Sequence, residues 1–182
     1  MATHTITNTK WNLDPTHSEI GFKVKHMMIT NVSGSFDKFS IAAETEGNDF
    51  STATIHFNAD LNSISTGNAD RDNHLKSADF FDMEKYPQLH FASERLERKD
   101  ETGFTLYGDL TIKGVTKPVV LDVEFGGIGK DPWGNEKAGF TLTGKIRRTD
   151  FNLNWNAALE TGGVLVSEEV KLFGEVQLIR EG

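Results

Sequence analysis

The chain has 182 residues, of which 37% are hydrophobic and 25% charged. This length suits one domain, so we expect a single domain over residues 1–182, with residues 1–10 as a loosely held N-terminal segment. The formal net charge of −8 leaves no basic face that could displace counterions from a polyanion. Binding to nucleic acid is therefore excluded, and binding to an anionic membrane surface is disfavoured.

Cysteine is absent from the sequence, which excludes disulfides, thiol nucleophiles and zinc–thiolate sites. No apolar run reaches the roughly 18 residues of a transmembrane segment. The N-terminus also lacks the basic and apolar regions of a secretory signal. The chain as it stands is expected to be cytoplasmic, or periplasmic or secreted if a signal peptide has been removed.

Apolar and polar residues alternate with a period of two along the first third of the chain. In the clearest case Ile20, Phe22 and Val24 share one face of the segment, and Glu19 and Lys23 share the other. The same pattern predicts strands over 18–26 and 53–61, with a weaker strand over 34–42. One apolar and one polar face are typical of an antiparallel sheet that is buried on one side.

Residues 68–77 break this alternation and predict a short helix. Asn68 can cap its first turn. The segment has too few apolar residues for a core helix, so we expect it to lie over one end of the sheet. Phe80 and Phe81 follow it and are expected to pack into the apolar side of the sheet.

The alternation returns after the helix and continues to the C-terminus. It predicts further strands over 88–98, 104–112, 119–125, 140–146 and 170–178. Turn residues separate these strands, which favours a sandwich or a barrel.

Three glycines, Gly108, Gly144 and Gly174, fall on inward-facing positions of the predicted strands. A glycine inside a strand either bends it or leaves out side-chain volume. The lumen of an eight-stranded barrel is just wide enough to be filled by side chains or to hold one small ligand. Both interpretations of the glycines, bends or room for a ligand, stay open from the residues alone.

Catalytic signatures are incomplete in this sequence. Residues 126–130 read GGIGK, but Glu124 replaces the first glycine of a phosphate loop and Pro132 follows where a helix should begin. Residues 14–18 hold Asp, His and Ser together, but neighbours on a strand point to opposite faces, so we expect no triad. The histidine spacing does not match a metal site, and neither a metal nor any other cofactor is expected.

A series of specific motifs runs through the chain. In order they are W-x-x-D-P-x-H-S (11–18), I-x-F-x-V-x-H (20–26), G-x-F (34–36), D-R-D-N-H-L (70–75), S-A-D-F-F (77–81), Y-P (86–87), F-A-S (91–93), G-x-L-x-I-x-G-V-T-K-P-V (108–119), R-x-D-F-N-L (148–153) and V-S-E-E-V-x-L (166–172). Together they resemble the YceI-like family of polyisoprenoid-binding proteins. The resemblance covers residues 11–180.

This resemblance implies an all-β fold, an extended lipocalin-like antiparallel eight-stranded barrel with one short helix, 68–77, near the barrel mouth. It also implies an apolar lumen that takes an isoprenoid or another long lipid. Two features depart from the family pattern. Many relatives carry a secretion signal, and Asn152 stands where the family has glycine, although asparagine also tolerates a left-handed backbone.

The leading hypothesis is non-catalytic binding, with transport or storage, of a long apolar lipid such as a polyisoprenoid or an isoprenoid quinone. The lipid chain is expected to contact the lumen residues Phe22, Val24, Phe36, Ile55, Phe57, Leu75, Phe80, Phe81, Phe91, Leu106, Leu110, Leu121, Val123, Phe140, Leu142 and Leu172. The polar head is expected to meet Ser18, His26, Arg71 and His74.

Two alternatives belong to other functional classes. One is an enzyme acting on a small apolar or lipid substrate with His17, His26 or His74 as the acid or base. The other is a stress-related structural dimer whose barrel is filled by its own side chains. The expectation of a homodimer rests on the resemblance alone.

Overall fold

The computed structural model describes residues 8–157 and 165–181. Within these ranges the chain forms strands β1 (Asn8–Leu13), β2 (Glu19–His26), β3 (Thr30–Phe36), β4 (Phe39–Glu46), β5 (Asp49–Asp60), β6 (Ile64–Ser65), β7 (Gln88–Arg98), β8 (Gly103–Ile112), β9 (Val115–Lys130), β10 (Glu136–Arg147) and β11 (Val166–Arg180), and one α-helix, α1 (Ala69–Lys76). Short 3-10 turns cover Pro15–His17, Leu61–Ser63 and Arg148–Phe151.

The strands close into an antiparallel barrel. Three pairs of consecutive strands, β1 with β2, β3 with β4 and β5 with β6, each act as one long strand with a short break. The resulting eight long strands follow one another in chain order, and β11 pairs with both β1 and β2. The predicted eight-stranded barrel is thus confirmed, and the pairing of β11 with β1 and β2 closes it.

The sequence prediction missed strand β1, the two-residue strand β6 and the breaks. Residues 8–10 belong to β1 and pair with β4, so they are not part of a loosely held segment, while residues 1–7 lie outside the described ranges. The single strand predicted over 34–42 is two strands that meet at Asp37–Lys38. The first break falls where Pro15 lacks an N–H for the sheet and starts a 3-10 turn that Asp14 caps.

One half of the barrel, which we call the packed half, is filled by aromatic rings. Phe50 lies at its centre, with ring centroids 5.0 Å from Trp11, 5.3 Å from Phe125 and 4.9 Å from Phe140. Trp11 is fully buried, and its indole N–H donates to the hydroxyl of Thr45 at 2.9 Å. These large rings meet across the axis and fill this part of the lumen.

The three inward glycines do not create space either. A Cβ atom on Gly108 would collide with the ring of Phe91, which lies directly over it, and one on Gly144 would collide with Leu121. The space over Gly174 is occupied in the same way by side chains from the neighbouring strands. The volume that these glycines leave out is therefore used by adjacent core residues.

Candidate functional site

The other half of the barrel, which we call the open half, contains a cavity of about 480 Å³ beneath α1. Its surface is almost entirely carbon. The lining residues are Phe22, Val24, Lys25, His26, Val32, Phe36, Thr66, Asn68, Asp70, Arg71, His74, Leu75, Phe80, Phe81, Leu89, Ile112, Ile146, Arg148, Leu153, Trp155, Leu165, Val166, Val170 and Leu172. This volume lies within the range of small-molecule sites.

A patch of β-branched side chains forms one wall of the cavity. Val32 and Val24 are register partners on β3 and β2, Val24 faces Val170 on β11, and Val170 faces Ile146 on β10. Four adjacent strands thus present a continuous aliphatic surface. Such a surface offers no hydrogen bonds, so it suits a hydrocarbon chain.

Helix α1 covers the cavity, as the sequence predicted. The side chain of Asn68 accepts a hydrogen bond from the N–H of Arg71 at 3.0 Å, which confirms the expected N-cap. The carboxylate of Asp72 accepts hydrogen bonds from the N–H and the hydroxyl of Thr66, at 2.8 and 2.6 Å. These bonds fix the start of the helix to the end of β6, while Leu75 faces the cavity.

An aromatic contact joins the cover to the connection between β10 and β11. The ring of His74 lies edge-on to Trp155 and Phe80, with centroid distances of 4.7 and 5.1 Å. Its Nε2 atom is 2.9 Å from a carboxylate oxygen of Asp79. The imidazole of His74 thus contacts Asp79 and both aromatic rings. Through these contacts His74 links α1 to the segment that contains Trp155.

Arg148 is a buried cation on the cavity wall, with 4% of its surface exposed. Its guanidinium donates to the carbonyls of Leu153, Trp155, Val166 and Ser167, at 2.5 to 3.2 Å. Burial lowers its pKa despite the charge of Glu168 nearby, but an arginine side chain stays protonated. Arg148 therefore ties together the irregular segment and the start of β11 that border the cavity.

Polar groups reach the cavity at its rim. Arg71 is fixed there, because its Nε and Nη2 atoms donate to the hydroxyl and the carbonyl of Thr66, both at 2.7 Å. Lys25, His26 and Asp70 also lie on the rim. A ligand with an apolar chain could thus bury the chain and leave a polar end among these groups.

The structure brings together some of the predicted site residues. The lumen residues that line the cavity are Phe22, Val24, Phe36, Leu75, Phe80, Phe81 and Leu172. Of the residues predicted for the polar head, His26, Arg71 and His74 lie on the cavity.

The remaining predicted residues do not line the cavity. The lumen residues outside it are Ile55, Phe57, Phe91, Leu106, Leu110, Leu121, Val123, Phe140 and Leu142, which pack in the core instead. Ser18 does not line the cavity either. Its hydroxyl exchanges hydrogen bonds with the backbone of Gln177 at the break between β1 and β2. The cavity therefore covers only part of the predicted lumen, and a lipid that threads the whole lumen stays a prediction.

Several lining residues were not predicted. Ile112, Ile146 and Val170 share the inward parity of their strands, and register pairing with Val24 could have identified Val170. Leu153 and Trp155, in contrast, lie in an irregular segment without periodicity. No sequence pattern marks such residues as part of a site.

Residues 14–18 form a structural cluster. They lie in a 3-10 turn, so Asp14 and His17 do meet, with Oδ2 2.9 Å from Nδ1, contrary to the argument from strand geometry. Asp14 also pairs with Lys137 at 2.7 Å. Burial alone would raise the pKa of Asp14, but the hydrogen bonds from Lys137, Thr16 and His17 outweigh it and hold that pKa well below its usual range. Ser18 does not join them, so no triad forms.

Two kinds of feature are absent from the described residues. Over 8–157 and 165–181, no group of His, Asp or Glu side chains is arranged to hold a metal ion. In the same ranges, no helix has the length and apolar character needed to cross a membrane.

The closed strand order and the cavity under a short helix define a lipocalin-like antiparallel barrel. The YceI-like domain model matches residues 11–178, and the chain belongs to the YceI-like family. A UPF0312 protein of Staphylococcus aureus is 43% identical over 164 residues, which cover 90% of this chain and 93% of that protein. These matches confirm the resemblance found in the sequence motifs.

Solved structures agree with this assignment. A crystal structure of a Campylobacter jejuni YceI protein is 34% identical and has a TM-score of 0.76, with 100% of both chains covered. A polyisoprenoid binding domain from Saccharophagus degradans has a TM-score of 0.65, covering 94% of this chain and 98% of that one. At 16% identity, this second likeness is one of fold alone.

Proposed function

We propose that this protein binds a lipid chain, such as an isoprenoid, in the cavity of the open half and does so without catalysis. The observation that carries the proposal is the almost wholly apolar lining of a 480 Å³ cavity, in which the guanidinium of the buried Arg148 is already bonded to backbone carbonyls. Each buried methylene group contributes about 0.8 kcal/mol to binding. A chain of ten or more carbons thus offsets the several kcal/mol that association costs.

The cavity volume sets the length of chain that fits. An apolar cavity of about 150 Å³ holds one benzene ring. By proportion, 480 Å³ has room for roughly 18 carbons. We therefore propose a chain of 15 to 20 carbons, or the terminal part of a longer polyisoprenoid or isoprenoid quinone whose remainder leaves through the rim.

The rim supports a polar end on this ligand. Arg71 and Lys25 provide cations there, and His26 provides a ring that donates or accepts. Membership of the YceI-like family and the shared fold of a polyisoprenoid binding domain support a lipid as the ligand. Transport or storage of that lipid is part of the proposal.

The enzyme alternative has less support. It named His17, His26 and His74, but His17 bonds to Asp14 and does not line the cavity. His74 is held by Asp79 and two aromatic rings. Only His26 stands on the rim without a hydrogen bond among the described residues, and one imidazole does not make an acid–base pair.

Native mass spectrometry of freshly purified protein tests the proposal. We expect a mass excess that disappears when the same sample is denatured, with the released molecule an apolar chain. If the protein carries no excess, farnesol, a 15-carbon isoprenoid alcohol, is added and the measurement repeated. A protein that carries no lipid and also fails to bind farnesol contradicts the proposal.

A further inference from the structure

The turn between β2 and β3 exposes three consecutive apolar side chains. Met27, Met28 and Ile29 are 42%, 51% and 77% exposed. Single exposed apolar residues are ordinary on protein surfaces. Three in a row at the tip of a hairpin are not, and a contiguous apolar patch of this kind marks a contact with a partner or a membrane.

The backbone of this turn is also unusual for its sequence. Met27 and Met28 have φ angles of 55° and 63°, the left-handed region where side chains other than those of Gly, Asn and Asp are strained. Met27 and Met28 are the central residues of a turn in which the N–H of Ile29 donates to the carbonyl of His26 at 3.2 Å, and a turn with both central φ angles positive is normally made by Asn-Gly. The left-handed backbone and the exposed apolar side chains of this turn therefore both lower the stability of the folded protein. Strain of this kind is kept where the residues serve a function.

The tip lies beside the cavity. Lys25 and His26, which precede it on β2, line the cavity. The N–H of Met27 donates to the carbonyl of Leu165 at 2.7 Å, and Leu165 lines the cavity as well. An object that contacts the tip is therefore next to residues that line the cavity.

Two cations of the cavity lining suit the surface of a lipid bilayer. Lys25 and Arg71 are exposed cations at the rim, in a protein with a net charge of −8. Asp70 is the acidic residue of the cavity lining. Lysine and arginine can meet lipid phosphates while methionine, with its flexible unbranched chain, adapts to an irregular apolar surface.

We propose that the Met27–Ile29 tip inserts into the outer layer of a phosphatidylcholine-like bilayer, so that the cavity loads its lipid directly from the membrane. This inference rests on the proposed function, because it assumes that the cargo is a lipid. The insertion is shallow, since three side chains reach below the level of the headgroups and the barrel stays in water. The lipid chain then passes from bilayer to cavity without crossing water.

The test compares loading rates in two variants. Met27→Asn, Met28→Gly and Ile29→Thr together install the preferred turn, so the triple variant is expected to fold. Trp133→Ser is the matched control, because Trp133 is 82% exposed at a hairpin tip at the other end of the barrel. The probe is a dansyl-labelled farnesyl chain held in phosphatidylcholine vesicles, and its transfer is followed by dansyl emission.

We expect the triple variant to load from vesicles at least tenfold more slowly than the parent protein, and the Trp133→Ser variant to load at the parent rate. The affinity for the probe added from ethanol should agree within twofold among all three proteins. A triple variant that loads as fast as the parent overturns the proposal. If none of the proteins binds the probe from ethanol, the proposed function fails instead.

A second measurement does not depend on the cargo. The chain has no cysteine, so Met28→Cys and Trp133→Cys each provide one labelling site for the polarity-sensitive dye NBD. Vesicles of phosphatidylcholine should shift the emission of the dye at position 28 to the blue and leave position 133 unchanged. No shift at position 28 overturns membrane insertion. Sedimentation gives a second result that would overturn it. If the parent protein is a dimer and the triple variant is a monomer, the tip joins two copies of the chain instead of entering a membrane.

Discussion

The packed half and the open half of this barrel are built from the same strands with the same alternation, yet only one is filled. In the packed half Phe50 contacts three other aromatic residues across the axis. In the open half the register-matched wall is made of shorter, β-branched residues such as Val24 and Val170. Alternation determines which side chains point inward, whereas their sizes determine whether the lumen is closed or open.

The two halves also end differently. Near the packed half, Asp14 and Lys137 form an ion pair in which both side chains are largely buried. Over the open half lie α1 and an irregular segment held by Arg148. We infer that the packed half supplies stability and that the open half serves binding. The predictions below test this division, beginning with the largest expected effect.

Phe50→Ala should lower the free energy of unfolding by about 3–5 kcal/mol, because it removes the ring at the centre of the packed half. Leu172→Ala, on the cavity wall, should cost only about 1 kcal/mol, since its side chain already lacks neighbours on one side. Urea unfolding of both variants checks the comparison. Equal losses would contradict the proposed division between the two halves.

Leu172→Trp should weaken binding of the dansyl-labelled farnesyl probe at least 100-fold by filling the cavity, and it should change the unfolding free energy by less than about 1 kcal/mol. Val176→Trp, four residues further along β11 in the core, should instead destabilise the protein by about 1–3 kcal/mol. Probe titration and urea unfolding separate the two outcomes. Retained binding in the Leu172 variant would place the ligand elsewhere.

Asp14→Asn should cost about 2 kcal/mol at pH 7, because it leaves the largely buried Lys137 with a neutral partner and the longer contact to Asp131 at 3.5 Å. The folded-state pKa of Asp14 lies below its unfolded value. Its contribution is therefore complete above about pH 4, the ordinary carboxylate pKa, and is lost as the pH falls through the folded-state value.

Urea unfolding between pH 7 and pH 2 measures this effect. The parent should lose more stability in acid than the Asp14→Asn variant does. Asp122→Asn is the control, because Asp122 forms an exposed pair with Lys99 and should change stability by less than about 0.5 kcal/mol. Parallel pH curves for the parent and the Asp14 variant would refute the role of this pair.

Asn152→Ala should destabilise the protein by about 1 kcal/mol, because Asn152 has a φ angle of 61° at the end of the turn that begins with Arg148. Asn152→Gly should be neutral within a few tenths of a kcal/mol. Thermal unfolding of the two variants decides the question. An alanine variant as stable as the glycine variant would show that the left-handed backbone is not what this position requires.

The sequence predicted the parts of the fold that follow a regular pattern of apolar and polar residues. Alternation predicted most of the strands, and Asn68 with the polar segment after it predicted α1. Strand β1 was missed because Thr9, the first of its three inward positions, is polar, which leaves only Trp11 and Leu13 as an apolar signal. Asn152, where the resemblance predicts glycine, has the left-handed backbone, with a φ angle of 61°.

The site was harder to predict than the fold. Parity identified inward residues along the whole lumen, but it could not show that Phe91 and Leu121 cover glycines and fill the middle of the barrel. The cavity also depends on Trp155 and Arg148, which act through an irregular segment and its backbone carbonyls. Contacts of this kind arise from the three-dimensional packing and leave no periodic trace in the sequence.

The most direct test of the account is methyl NMR of the protein during titration with farnesol. We predict that methyl signals of Val24, Val170 and Leu172 shift at saturation, while those of Val176 and Leu178 stay in place. That result would confine the ligand to the open half. Shifts of similar size in the packed half would mean that the lipid threads the whole lumen, and the absence of any shift would mean that the cavity does not bind this chain.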